Sequence, residues 1–146
     1  MKTLTIFSLI LSTACCINPE LVEIIKTRML ETGMMCMSQL GATEADVAPL
    51  IANRPPETET GKCFLACMFK KEGFLNANGK IDKDSTMAAI EQTKNLDEDY
   101  YVKIKQVAEA CVKVNDDGND CETATMLYAC ILKEKAKVGL ENIDLN

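Results

Sequence analysis

Two cysteines four residues apart constrain this chain most, because they fall inside a stretch with helical character. Cys63 and Cys67 lie in Lys62–Gly73, KCFLACMFKKEG, where their spacing places both thiols on one face of a helix, roughly one turn apart. Neighbouring side chains on one turn run nearly parallel, so a bond between these two cysteines has poor geometry. We therefore expect each to bond to a different remote segment, which makes this helix the hub of a disulfide-stapled domain.

The cysteine count indicates the compartment in which the chain folds. Eight cysteines among 146 residues are typical of a secreted protein whose thiols are oxidised. Residues 1–16 have the features of a signal peptide, with a positively charged start, an apolar run at Leu4–Leu11 and small side chains before the cleavage point. Cleavage after Ala14 would leave all eight cysteines, whereas cleavage after Cys16, which we favour, leaves six that can all pair.

Composition and charge argue against several classes of protein. The net charge is −6, and it becomes −7 (−6 − 1) once a signal peptide carrying Lys2 is removed, which argues against nucleic acid as a partner. The apolar run of the signal peptide is too short to span a bilayer and no later stretch is longer, so we expect no membrane insertion. The chain has no histidine and no CxxC pair, so we expect neither a metal site nor a cofactor.

Hydrophobic residues recur with helical periodicity along residues 17–146, which predicts a single all-α domain. No stretch shows the alternation of a strand. Turn residues and helix-capping residues divide the pattern into six segments. The predicted helices run from about Pro19 to Gly41, Thr43 to Ile51, Glu57 to Glu72, Asp82 to Leu96, Asp97 to Val114 and Asn119 to Lys137.

Two stretches resemble chemical sites without completing one. The turn that contains Gly79 resembles a calcium loop, but a loop with this glycine at its sixth position needs carboxylates where Phe74 and Ser85 stand. Asp116 and Asp120 could form a carboxylate pair, although a solvated helix cap explains that run more simply. Because the chain also lacks histidine, a nucleophile elbow and a phosphate-binding loop, the sequence predicts no enzyme.

The spacing of the six remaining cysteines is the most specific pattern in the chain. They are separated by 26, 3, 43, 9 and 8 residues, and spacing alone leaves fifteen pairings open. The gaps of three and eight residues resemble the signature of the insect odorant-binding family, which includes pheromone-binding and general odorant-binding proteins. The stretch Lys62–Gly79 also resembles the hub helix and following loop of that family, and the resemblance covers nearly the whole mature chain.

The resemblance implies a six-helix fold whose disulfide staples tolerate an enclosed apolar cavity. The family uses such a cavity to hold small hydrophobic or volatile molecules. The implied function is a secreted, extracellular carrier of odorants or pheromones, with a membrane chemoreceptor as an indirect partner. A secreted disulfide-framed scaffold that binds a macromolecule is the alternative. The implied disulfides are Cys36–Cys67, Cys63–Cys121 and Cys111–Cys130.

A set of apolar residues on the predicted helices forms the expected wall of the cavity. Methionines suit such a wall because a flexible thioether fits ligands of differing shape. Each residue of the set could also be an ordinary core residue that packs against its neighbours. Tyr101 and Tyr128 could offer a hydroxyl to a polar ligand group or lie at the surface. The expected wall residues are Leu65, Met68, Phe69, Phe74, Met87, Ile90, Ile104, Val107, Met126 and Leu127.

Two further expectations concern ligand release. Some members of the family are proposed to release ligand when histidines become protonated, but this chain has no histidine. A pH trigger would need carboxylates whose pKa is raised by burial. The C-terminal tail, Val138–Asn146, carries Leu140, Ile143 and Leu145 among polar residues, which predicts that it folds back over the apolar wall.

Overall fold

The computed structural model of the chain describes residues 16–145, which fold into six α-helices. Within that range, extended pairing is limited to one isolated bridge between Leu75 and Ile81. The predicted all-α fold of six helices is therefore confirmed. The signal peptide, residues 1–16, lies outside the described residues except for Cys16, and its cleavage stays a prediction. The helices are α1 (Pro19–Leu40), α2 (Glu44–Ile51), α3 (Glu59–Glu72), α4 (Lys83–Glu91), α5 (Glu98–Cys111) and α6 (Asp120–Lys137).

Each helix begins where a side chain can accept hydrogen bonds from the free backbone amides of the first turn. At α2 the Asp46 carboxylate accepts the backbone N–H of Thr43 at 2.8 Å, which is half of a capping box. The hub helix α3 begins at Glu59, two residues after the predicted start, because the preceding threonine caps it. In the other five helices the capping side chains accept amides at 2.8 to 2.9 Å, and they belong to Asn18, Thr58, Asp82, Asp97 and Asn119.

The fourth helix is shorter than its hydrophobic pattern predicts. It ends at Glu91, and the residues that follow form turns. In these turns the Thr93 hydroxyl donates to the carbonyl of Ile90 at 2.7 Å, a local hydrogen bond that competes with helix continuation. Leu96, which we expected on this helix, lies beyond it, and its carbonyl accepts from the Asn18 side chain at 3.1 Å. Leu96 therefore helps to join the start of α1 to the turn before α5.

Helix α3 lies at the centre of the packing. It packs against α1, α2 and α6, while α5 packs against α6 and α4. The largest buried cluster joins α3, α5 and α6, and we call it the main core; it comprises Leu65, Ala66, Phe69, Leu75, Val107, Cys111, Ala124 and Leu127. Two smaller clusters lie beside it. The α1–α3 cluster comprises Cys36, Val47 and Phe64, and the α4–α5 cluster comprises Ile90, Tyr101 and Ala108.

Three disulfides connect the helices covalently. They join α1 to α3, α3 to α6 and α5 to α6, so that α2 and α4 are held by non-covalent packing. Closing loops with sequence separations of 31, 58 and 19 residues restricts the unfolded chain, and such restriction is worth about 3 to 4 kcal/mol for each bond in the chain-entropy model. The bonded pairs are those that the resemblance implies, Cys36–Cys67, Cys63–Cys121 and Cys111–Cys130.

Polar contacts add to the links that α3 makes. On the side of α1, the Glu72 carboxylate accepts from the Thr32 hydroxyl at 2.8 Å and from Arg28 Nε at 2.6 Å. On the side of α6, Lys70 Nζ lies 2.5 Å from the Asp120 carboxylate. Each of these contacts lies near a disulfide that joins the same two helices, so the position of α3 is fixed by covalent and polar contacts together.

Peptide mapping of the secreted protein without reduction tests this framework. We expect linked peptides that contain Cys36 with Cys67, Cys63 with Cys121, and Cys111 with Cys130. These bonds join different helices, whereas a bond within one turn of α3 has poor geometry. Recovery of a linked Cys63–Cys67 peptide, or of free thiols at several of the six positions, would contradict the framework and the arrangement of helices that depends on it.

Candidate functional site

Nine of the ten expected wall residues lie in or against the buried clusters. Met87 and Ile90 belong to or border the α4–α5 cluster, and Met68 borders the α1–α3 cluster. The other six belong to the main core or pack against it. Its members among them are Leu65, Phe69, Val107 and Leu127, and Phe74 and Ile104 border it. The helical periodicity of the sequence therefore identified the inward faces of α3, α4 and α5 correctly.

The main core and the α4–α5 cluster form one continuous apolar interior. Ile104 of α5 packs against both of them. At the end of α3, the rings of Phe69 and Phe74 meet edge to face, with centroids 5.6 Å apart and planes at 80°, an arrangement that aromatic pairs favour. The C-terminal half of α3, the turn after it and the middle of α5 thus surround the same apolar region.

Met126 is the exception among the ten residues, and the structure corrects its expected position. Its side chain lies at the surface with an exposed fraction of 39 %, and it belongs to none of the three clusters. The inward face of α6 runs through Ala124 and Leu127, and Met126 is one residue, or about 100°, away from Leu127 on the helix. A methionine beside an inward position was therefore mistaken for an inward one.

Leu75 is a core residue that the sequence did not indicate. It lies in the turn between α3 and α4, a stretch rich in glycine and asparagine, and its exposed fraction is only 2 %. The turn is held by the bridge to Ile81 and by the Asn76 side chain, which accepts the backbone N–H groups of Asn78 and Lys80 at 2.9 and 3.1 Å. The available signal was a pair of large apolar residues, Phe74 and Leu75, inside an otherwise polar turn.

Two recesses among the described residues are lined by none of the ten expected wall residues. The larger, of about 470 Å³, is an open groove on the outer face of α3, between the end of α1 and the start of α6. The smaller, of about 10 Å³, lies where Ile17 and Leu140 approach the start of α5. An apolar cavity enclosed by the expected wall therefore stays a prediction, while the apolar interior itself is observed.

The two tyrosines expected to offer hydroxyls to a ligand have partners within the protein. The Tyr101 hydroxyl donates to the Glu91 carboxylate at 2.7 Å, and Lys94 and Lys105 lie 5.4 and 5.6 Å from the centre of its ring. The Tyr128 hydroxyl lies 3.4 Å from the carbonyl of Leu50, and burial raises the pKa of this phenol. These hydroxyls tie α4 to α5 and α2 to α6.

Threonines are the polar residues of the interior. Thr32, Thr86 and Thr123 are the buried polar or charged residues within the described range. The hydroxyls of the first two donate to Glu72 and to the carbonyl of Asp82, at 2.8 and 2.7 Å. The hydroxyl of Thr123 has no hydrogen-bond partner. No periodicity or motif could have singled it out, because its significance depends on what surrounds it.

The first part of the C-terminal tail packs against the main core, where Val138 and Leu140 border it. Gly139 adopts a left-handed conformation, with φ of 68°, which turns the chain at the end of α6. Beyond this turn, Lys135 holds the tail from α6, since its carbonyl accepts the backbone N–H of Leu140 and its ammonium donates to Asn142, both at 3.0 Å. The covering of the apolar wall by the whole tail, with Ile143 and Leu145, stays a prediction.

A metal site and a membrane-spanning helix are not found in the described part of the chain. No group of three or more carboxylate, thiolate or imidazole side chains is arranged to hold a metal ion in residues 16–145. Across the same residues, no helix has the length and apolar character that crossing a membrane requires.

Comparison with known proteins agrees with this arrangement. The model of the PBP/GOBP family matches residues 19–134. General odorant-binding protein 28a of Drosophila melanogaster is 33% identical over 116 residues, which cover 77% of this chain and 79% of that protein. The match thus includes all six helices almost to the end of α6.

Solved structures show the same fold. The odorant-binding protein dmelOBP28a of Drosophila melanogaster superposes with a TM-score of 0.69 at 30% identity, covering 82% of this chain and 99% of that one. A pheromone-binding protein from the cockroach Leucophaea maderae, solved in complex with the fluorescent reporter ANS, gives a TM-score of 0.59 at 27% identity and covers 74% and 92% of the two chains. The chain therefore belongs to the PBP/GOBP family of insect odorant-binding proteins.

Proposed function

We propose that this protein is a secreted carrier that holds a small hydrophobic ligand in its apolar interior and moves it through aqueous extracellular fluid. The observation that carries the proposal is the interior itself: nine of the expected wall residues lie in or against its buried clusters, and the buried polar residues of the described range are three threonines. An interior of this composition binds by apolar contact and shape. Delivery to a membrane chemoreceptor is the indirect partnership that such a carrier would serve.

The family supports a binding role without chemistry. Its members are odorant-binding carriers and not enzymes. The cockroach relative is described in complex with ANS, a small dye with an apolar aromatic body and one sulfonic acid group. The carboxylate pair considered from the sequence is not an isolated pair in the structure, since Asp120 is bonded to Lys70 and a carboxylate oxygen of Asp116 accepts the backbone N–H of Ile81. Both carboxylates thus have structural partners.

Uptake of ANS tests the proposal directly. We expect the purified protein to enhance ANS fluorescence with saturable binding, and we expect small apolar volatiles to displace the dye competitively, because both occupy the same apolar interior. A scaffold that binds macromolecules through its surface would not show this displacement. Absence of saturable ANS binding, or of displacement by every volatile in a chemically diverse set, would contradict the carrier function.

A matched pair of methionine variants locates the binding region. Met87→Ala removes a half-buried side chain beside the α4–α5 cluster, and Met126→Ala removes an exposed one on α6. If ligand lies in the interior, we expect Met87→Ala to weaken ANS binding roughly five- to tenfold through lost apolar contact, and Met126→Ala to leave it unchanged. Equal effects of the two substitutions would place the dye elsewhere.

Ligand affinity should hardly change between pH 7 and pH 6. Hydrogen bonds lower the pKa of three carboxylates. The main donor is the amide of Thr43 for Asp46, the hydroxyl of Tyr101 for Glu91, and the ammonium of Lys70 for Asp120. A lowered pKa keeps a carboxylate ionised at both pH values, and the chain has no histidine. Titration with ANS at each pH should give dissociation constants within about twofold, and a tenfold loss at pH 6 would refute this expectation.

Deletion of residues 140–146 tests whether the tail retains the ligand. Leu140 borders the main core, and Ile143 and Leu145 are half-buried. Because ordering the tail costs backbone entropy that these few contacts only just offset, we expect the deletion to speed ligand dissociation while leaving helix content and disulfides unchanged. Stopped-flow displacement of ANS measures the rate, and an unaltered rate would show that the tail is not a lid.

A further inference from the structure

Thr123 is the one buried side chain of the described residues whose polar atom is left without a partner. Its hydroxyl is shielded from solvent and forms no hydrogen bond, and the residue as a whole has an exposed fraction of 0 %. A buried hydroxyl that loses its hydrogen bonds to water and gains none in return destabilises the fold. Such a group calls for an explanation, and a ligand that supplies the partner is one.

The other threonines show that the helical backbone does not impose this outcome. The hydroxyls of Thr86 and Thr125 each donate to the carbonyl four residues earlier, at 2.7 and 2.8 Å. For Thr123 the equivalent acceptor is the carbonyl of Asn119, which accepts the backbone N–H of Thr123 at 2.9 Å but not its hydroxyl. The hydroxyl of Thr123 is therefore not satisfied by its own helix, unlike those of two threonines in equivalent settings.

Thr123 lies on the inward face of α6. Leu127, one turn further along this face, and the adjacent Ala124 belong to the main core. Since residues at this spacing share one side of a helix, the hydroxyl lies on the side of α6 that faces the main core.

Among the described residues, no other buried polar side chain is free to bind a ligand. Within residues 16–145 the buried polar or charged residues are threonines, and the hydroxyls of Tyr101 and Tyr128 already have protein partners. A threonine hydroxyl can both donate and accept, so it matches the oxygen of an alcohol, an aldehyde or a ketone.

We infer that Thr123 determines which hydrophobic ligands this carrier prefers: its hydroxyl binds the single oxygen of an aliphatic ligand, and the side chains of the main core contact the hydrocarbon chain. The inference rests on the proposed carrier function. It assigns a chemical feature to the ligand, namely one hydrogen-bonding oxygen, in preference to hydrocarbons without oxygen.

Displacement of ANS by 1-octanol and by octane tests this inference with three variants. Thr123→Val is nearly isosteric and removes the hydroxyl, Thr123→Ser keeps it, and Thr125→Val removes a hydroxyl that is bonded to its own helix. We expect Thr123→Val to weaken 1-octanol binding roughly three- to tenfold and to leave octane binding unchanged or stronger. Thr123→Ser and Thr125→Val should bind both compounds as the natural protein does.

Unfolding of the protein without added ligand supplies a second readout. Because Thr123→Val removes an unsatisfied buried group, we expect its melting temperature to equal or exceed that of the natural protein. A lower value would show that the hydroxyl has a partner within the protein, and would overturn the inference. Equal loss of 1-octanol and octane in Thr123→Val, or no loss of either, would also overturn it. If neither compound displaced ANS from the natural protein, while other volatiles did, the inference would fail and the carrier function would stand.

Discussion

The structure depends on the attachment of α3 at two points that lie one turn apart. Cys67 bonds α3 to α1 and Cys63 bonds it to α6, while the bond between Cys111 and Cys130 adds α5 to the same covalent network. Because the three bonds restrict the unfolded chain, the folded state needs less stabilisation from tight packing than a domain of this size otherwise would. A protein held in this way can keep an interior that is specialised for binding.

The electrostatics of the molecule follow from the same arrangement. Its charged side chains lie outside the buried clusters, where they form ion pairs such as Lys70–Asp120 on the surface where helices meet. The shifted carboxylates are held ionised by nearby donors, in the case of Glu91 by the hydroxyl of a tyrosine. Ion pairs therefore stabilise the helix contacts at the surface, and the buried interior of the described residues contains no charged side chain, which suits the binding of apolar molecules.

Several features could be predicted from the sequence for identifiable reasons. Helical periodicity places Leu65 and Val107 on inward faces because burial of a helix is a property of one side, and that side repeats every 3.6 residues. The same reasoning failed for Met126, because a hydrophobic residue next to the inward stripe satisfies the pattern only loosely. It failed for Leu96 because the end of α4 is set by a local hydrogen bond of Thr93, which competes with the helix over a few residues only.

The sequence by itself determined the class of the protein, since the spacing of six cysteines and the period of the apolar residues depend only on positions along the chain. The tertiary structure decided the properties that depend on contacts between segments. It buries the turn residue Leu75 and gives the hydroxyls of Tyr101 and Tyr128 partners on other helices. It leaves the hydroxyl of Thr123 without a hydrogen-bond partner. A hydrogen bond is satisfied or not according to atoms that lie within about 3 Å in space. Such neighbours come from distant parts of the chain, and no local pattern contains them.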